Sequence, residues 1–127
     1  MILVLIDFFD YGSYSLKLAG LETVIELIKC GDLNQKILFL EENLMKNVFD
    51  VIQSNEINVT VDVLDALLIE FDAACGAGFD VISMFVQQLT DCDGFDFLND
   101  LSCTENEEIK EKAKQLLDEI SNNYCFD

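Results

Sequence analysis

Apolar residues recur along this chain at helical spacing, and the helical pattern itself repeats. Leu18, Leu21, Ile25 and Ile28 share one face of a helix predicted to end near Lys29, where Gly31 stops it. Gly12 and Ser13 make the turn before it, with Ser13 or Ser15 as the cap. Upstream, Ile2, Leu5, Ile6 and Phe9 mark a short, greasy helix over Met1–Tyr11. Its run of six apolar residues also fits a strand, and the repeat described next argues for helix. Asp32 caps a short helix through Leu40, with Ile37 and Leu38 expected inward; a second short helix covers Asn43–Ser54. Asn55 and Asn58 bracket the turn into a long helix that ends at Cys75-Gly76-Ala77-Gly78. Asp80–Leu89 carries Val81, Met84, Phe85 and Leu89 on one face, and Asp93-Gly94 turns the chain into Phe95–Leu101. Thr104-Glu105-Asn106-Glu107 has the form of a capping box for a last helix striped by Ile109, Ala113, Leu116, Leu117 and Ile120.

These elements repeat in order. Leu5-Ile6-Asp7-Phe8-Phe9 returns as Val48-Phe49-Asp50-Val51-Ile52, and the striped helix returns over Thr60–Phe71. Asp7 aligns with Asp50, Glu22 with Asp65 and Ile28 with Phe71 at one constant spacing of 43 residues. A looser third copy runs from Phe97-Leu98-Asn99-Asp100-Leu101 into Ile109–Tyr124. Short and long helices recurring at this period predict an all-α chain: an armadillo/HEAT-type right-handed helical solenoid of about three repeats. The repeats fall at about 1–31, 32–78 and 79–127, in a single domain. Each unit then buries its apolar face against its neighbours and leaves long surfaces for partners.

Composition narrows the functional classes. The chain has 25 acidic residues against 7 basic ones, all Lys, for a formal net charge of −18. Such a field repels nucleic acid and anionic membrane and favours a basic partner, or serves only to keep the protein soluble. His is absent, so no His-based triad or zinc site is available. The five cysteines form no CxxC pair; Cys30, Cys75 and Cys103 are expected as small core residues in a reducing compartment, and Cys125 in a loose tail. Asp91, Asp93, Asp96 and Asp100 have the look of a calcium loop, but Gly94 and the missing terminal Glu break the pattern. No cofactor, metal or catalytic activity is expected. Of the ten Phe residues, those at 49, 71, 85 and 97 lie on apolar stripes and read as core. The apolar start lacks a basic leader and is interrupted by Asp7, which argues against a signal peptide or membrane span. A greasy leading helix suggests either a piece of a longer protein or a face that docks on another chain.

The ordered series of motifs resembles the C-terminal armadillo repeats of the importin-α family. Val63-Leu64-Asp65-Ala66 with Phe71, Ala73 and Ala74 is similar to the long helix of that family's penultimate repeat. Asp93-Gly94-Phe95-Asp96-Phe97-Leu98 is similar to its C-G-G-L-(D/E)-K-I turn, and Asn34-Gln35-Lys36-Ile37-Leu38 to its (F/P)-E-Q-(V/I). Glu105-Asn106-Glu107-Glu108 and the closing Ile109–Phe126 match its H-E-N-E-x-(V/I)-Y and terminal I-x-x-Y-F. The resemblance covers nearly the whole chain, and no single motif within it is specific.

The resemblance implies a non-catalytic adaptor in nucleocytoplasmic protein transport, found in cytoplasm and nucleus. Its partners would be other proteins: an export receptor, a nucleoporin or a basic peptide, with neither nucleic acid nor membrane. The family's cargo groove uses Trp-x-x-x-Asn pairs, and this chain has no Trp. Glu22 and Glu26 stand at the matching places of one long helix, and Asp65 and Ile69 at those of the next. Glu22, Glu26 and Asp65 form a candidate groove for a basic peptide, or simply a solvated acidic face. The acidic stretch Glu105, Glu107, Glu108 and Glu111 is the candidate site for the export receptor or nucleoporin. It equally suits a helix N-terminus that favours negative charge. A generic armadillo/HEAT assembly scaffold outside transport is the alternative.

Overall fold

The computed structural model describes residues 14–42, 44–52 and 57–124. Among them there are seven helices and no strand: α1 Tyr14–Cys30, α2 Leu33–Glu41, α3 Met45–Ile52, α4 Ile57–Ala77, α5 Phe79–Asp91, α6 Gly94–Leu101 and α7 Glu107–Asn123. The short leading helix expected over Met1–Tyr11 and the cap at Ser13 lie outside the described residues.

Local chemistry explains most boundaries. The Gly31 N–H donates to the Leu27 carbonyl at 3.0 Å, and any Cβ at Gly31 would collide with that oxygen. Only glycine therefore ends α1 in this way. Asp32 opens α2 with a complete capping box: the Gln35 N–H donates to Asp32 Oδ1, and the Asp32 N–H donates to Gln35 Oε1, both at 2.9 Å. Gly78, at φ 127°, separates α4 from α5. Asp93 turns the chain into α6 in the left-handed region (φ 59°, ψ 27°), which its short polar side chain tolerates.

The start of α7 corrects the sequence reading. Its cap is Asn106, whose Oδ1 accepts from the Ile109 N–H at 3.0 Å, not Thr104. Thr104 sits two residues too early, and its N–H bonds back to the Leu101 carbonyl at 3.2 Å, continuing the turn that closes α6.

The core runs through all seven helices as one cluster. Leu21, Val24 and Ile28 of α1, Leu64, Leu67 and Phe71 of α4, and Ala113, Leu116 and Ile120 of α7 are all buried, in matching order. The long helix α4 packs on both α1 and α7, and also on α2, α3 and α5; α2 packs on α5, and α5 on α6. Aromatic edges lock neighbouring elements. Phe71 meets Phe85 with ring centroids 5.1 Å apart, and Phe49 of α3 meets Phe97 of α6 at 5.8 Å, both edge-on. In two helices the inward face is turned from the expected one. In α2, Phe39 and Leu40 are buried while Ile37 and Leu38 are half-buried. In α5, Ile82 and Val86 join Phe85 and Leu89 inside, leaving Val81 and Met84 at the margin.

Candidate protein-binding surface

Two acidic regions were singled out from the sequence, and the structure treats them differently. Glu22 and Glu26 are exposed one turn apart on α1. Glu26 lines a surface cleft of about 240 Å³ with Thr23, Leu27 and Gln35, and its Oε2 accepts from the Cys30 thiol at 3.5 Å. Asp65, aligned with Glu22, is not free. Its Oδ1 accepts from Lys112 of α7, so a carboxylate expected to face a ligand instead ties α4 to α7. The Lys112 ammonium is held above its usual range, first by the hydrogen bond to Asp65 and further by the Asp65 and Glu108 charges. Lys112 is thereby committed to α4 rather than to Glu108 one turn away on its own helix; within α7, Lys110 lies 3.9 Å from Glu107.

Ile69, aligned with Glu26, lines a second cleft of about 320 Å³ between α2, α4 and α7. Lys36, Asp72, Gln115 and Glu119 supply its polar lining, and Leu68 contributes with Ile69 to the apolar part. Two carboxylates against one ammonium give this cleft a net negative lining. A third cleft, of about 380 Å³, runs along α5 past Asp80, Met84 and Gln87 to Tyr124, whose ring stacks on Phe79 at 5.7 Å. Phe79 stays 62% exposed despite that stacking, the most exposed large apolar side chain among the described residues.

Glu105, Glu107, Glu108 and Glu111 are all exposed. Glu107 and Glu108 occupy the first turn of α7, where unsatisfied N–H groups favour negative charge. The four carboxylates are displayed together without being drawn into the core.

The cysteines depart from expectation. Cys30 and Cys103 are exposed and Cys75 is half-buried, so these three are not core residues; Cys125 lies outside the described residues. Burial, followed by the charges of Asp72 and Glu119, pushes the Cys75 thiol up. Among the described residues no group of three or more Cys, Asp or Glu side chains is arranged to hold a metal. None of the described helices is long and apolar enough to cross a membrane.

Sequence reasoning passed over Glu70. It is 1% exposed, its Oε2 has no hydrogen-bond partner, and burial pushes its carboxyl up to about 8 against the opposing pull of Lys36. The signal was present: Glu70 falls at helical spacing between Leu67 and Ala74, an acid on an otherwise apolar stripe. Gln88 is a lesser case. Its Nε2 donates to the Leu40 carbonyl at the end of α2, while its Oε1 is buried without a partner.

Comparison with protein-family models, with curated proteins and with solved structures gives no match for this chain.

Proposed function

We propose that this chain is a non-catalytic protein-binding scaffold of armadillo type, and that its role is that of the C-terminal region of a divergent importin-α adaptor. The observation that carries the scaffold reading is the matched burial of α1, α4 and α7: Leu21/Leu64/Ala113, Val24/Leu67/Leu116 and Ile28/Phe71/Ile120. Like residues pack behind like residues when one unit stacks on the next. The preceding helices agree, since α2 packs on α5 and Phe49 of α3 on Phe97 of α6. In this reading the units are α1 with what precedes it, α2–α3–α4, and α5–α6–α7.

The transport role rests on the ordered motif resemblance, and Glu105, Glu107, Glu108 and Glu111 are its proposed contact surface. The test is co-elution of the full chain with the importin-α export receptor, for the parent and for a Glu107→Lys, Glu108→Lys double variant. Binding by the parent and its loss in the variant support the role. No binding by either sinks it.

A second reading, an assembly scaffold outside transport, is favoured by one observation. Asp65 pairs with Lys112 of α7 and is not free to meet a ligand. With Trp also absent, little of a cargo-reading surface is left, and a basic partner would meet Glu22, Glu26 and the acidic start of α7 instead.

A further inference from the structure

Buried acids without partners are rare because an ionised carboxylate away from water is costly. Glu70 lies on α4, on the same stripe as Leu67, Phe71 and Ala74, and α2 packs against this helix. The charge that reaches it is Lys36 of α2. On the other helices packed around α4, Glu22 and Glu26 of α1, Asp50 of α3, and Asp80 and Asp91 of α5 are exposed, and Lys112 of α7 is committed to Asp65. Glu119 of α7 lines the same outer cleft as Lys36.

The helix that supplies Lys36 is a short one. α2 has nine residues, and Leu33 in its first turn is 48% exposed. A helix of this length has little stability of its own and depends on its tertiary attachments. Those are the apolar contacts of Phe39 and Leu40 and the Gln88 hydrogen bond to the Leu40 carbonyl.

We propose that Glu70 is a proton-operated latch between α2 and α4, closed while its carboxyl is neutral and loosened when the carboxyl ionises. Ionisation places a charge at a buried position whose Oε2 has no donor. Relief comes if α2 moves away to admit water. That motion also draws Lys36 out of the cleft it shares with Asp72, Gln115 and Glu119, leaving the two carboxylates there less compensated. The direction follows from linkage. A carboxyl held above its ordinary 4.5 in the folded state adds stability that is complete below that value and lost as pH rises through about 8.

The test uses the full chain. Carboxyl ¹³C NMR follows Glu70 from pH 5 to 9, and denaturant unfolding compares the parent with Glu70→Gln over the same range. The latch predicts a Glu70 titration well above the ordinary carboxylate range. It also predicts a folding constant that falls about tenfold or more relative to the Gln variant between pH 5.5 and 8.5. Repulsion among the other acids acts on both proteins and cancels in that ratio. Hydrogen exchange, corrected for intrinsic rates, should show protection in α2 falling over this range while α7 keeps its own. Titration of Glu70 in the ordinary range overturns the proposal, as does a parent-to-variant ratio that stays constant, or equal loss of protection in α2 and α7. Should the Gln variant fail to fold, the NMR titration and the exchange pattern of the parent decide the matter.

Discussion

The long helices α4 and α7 occupy matching places in the sequence pattern and have opposite characters. α4 packs on five other helices and buries a broad face of Val63, Leu64, Ala66, Leu67, Phe71 and Ala74, leaving Asp62 and Asp72 exposed. α7 packs on α4 and α6 and keeps a narrow stripe of Ile109, Ala113, Leu116 and Ile120 under a charged outer face. A helix enclosed on several sides loses its amphipathic contrast; one covered on a single side retains it. The comparison also locates the chemistry. Burial turns the one acid on the inner stripe of α4 into a titrating group near neutral pH, whereas the acids of α7 stay in water as display charges.

The largest expected effect tests that contrast directly. Phe71→Ala removes a fully buried ring that packs on Phe85 and should cost about 3–5 kcal/mol in denaturant unfolding. Leu117→Ala, at the half-buried margin of α7, should cost only about 1–2 kcal/mol. Equal losses at the two sites would show that α7 is enclosed as fully as α4.

Next comes pH. Because Glu70 binds its proton more tightly folded than unfolded, raising the pH from 5.5 to 8.5 should destabilise the parent more than Glu70→Gln. Parallel unfolding midpoints across that range would remove the distinction between the inner acid of α4 and the outer acids of α7.

The start of α7 can be sharpened by a pair of cap variants. Asn106→Ala should cost about 1 kcal/mol in thermal or denaturant unfolding, because it leaves the Ile109 N–H without its acceptor. Thr104→Ala should cost less than about 0.5 kcal/mol. The reverse ranking would place the cap where the sequence pattern alone put it.

The smallest effect concerns the tie between the two helices. Lys112→Met should cost about 0.5–1 kcal/mol at low salt, since Asp65 and Lys112 are each partly open to water. The loss should shrink as salt screens the pair in the parent. No loss at any salt concentration would mean that the lysine stem, which Met retains, holds α7 to α4 rather than the charge.

Much of the helical architecture was legible in the sequence because burial there is periodic. The spacing that put Leu21, Ile25 and Ile28 on one inward face of α1 matches their burial, with Leu18 half-buried at its start, and the 43-residue alignment carries Ile28 onto the equally buried Phe71. Gly31 and Asp93-Gly94 punctuate the chain through backbone that few other residues fit, Asp32 does so through its side-chain cap, and all three are where the pattern put them. The candidate surface was less legible. Asp65 reads as one more exposed acid until a lysine 47 residues away reaches it, and no local pattern encodes that pairing. The inward face of α2 lies two positions from the expected one, and that of α5 about one. Ile37 and Phe39, or Val81 and Ile82, are equally apolar, and only packing chooses between them.

Among the described residues, the sequence by itself determined which segments are helical and broadly where they stop, because those properties follow from local backbone chemistry and periodic hydrophobicity. Tertiary structure decided which carboxylates remain available. Whether an acid pairs with a distant lysine, as Asp65 does, sits dehydrated, as Glu70 does, or stays in water, as Glu107 and Glu108 do, depends on the elements brought beside it. Solvation and Coulomb energy are set by three-dimensional surroundings, and chain neighbours supply only a part of them.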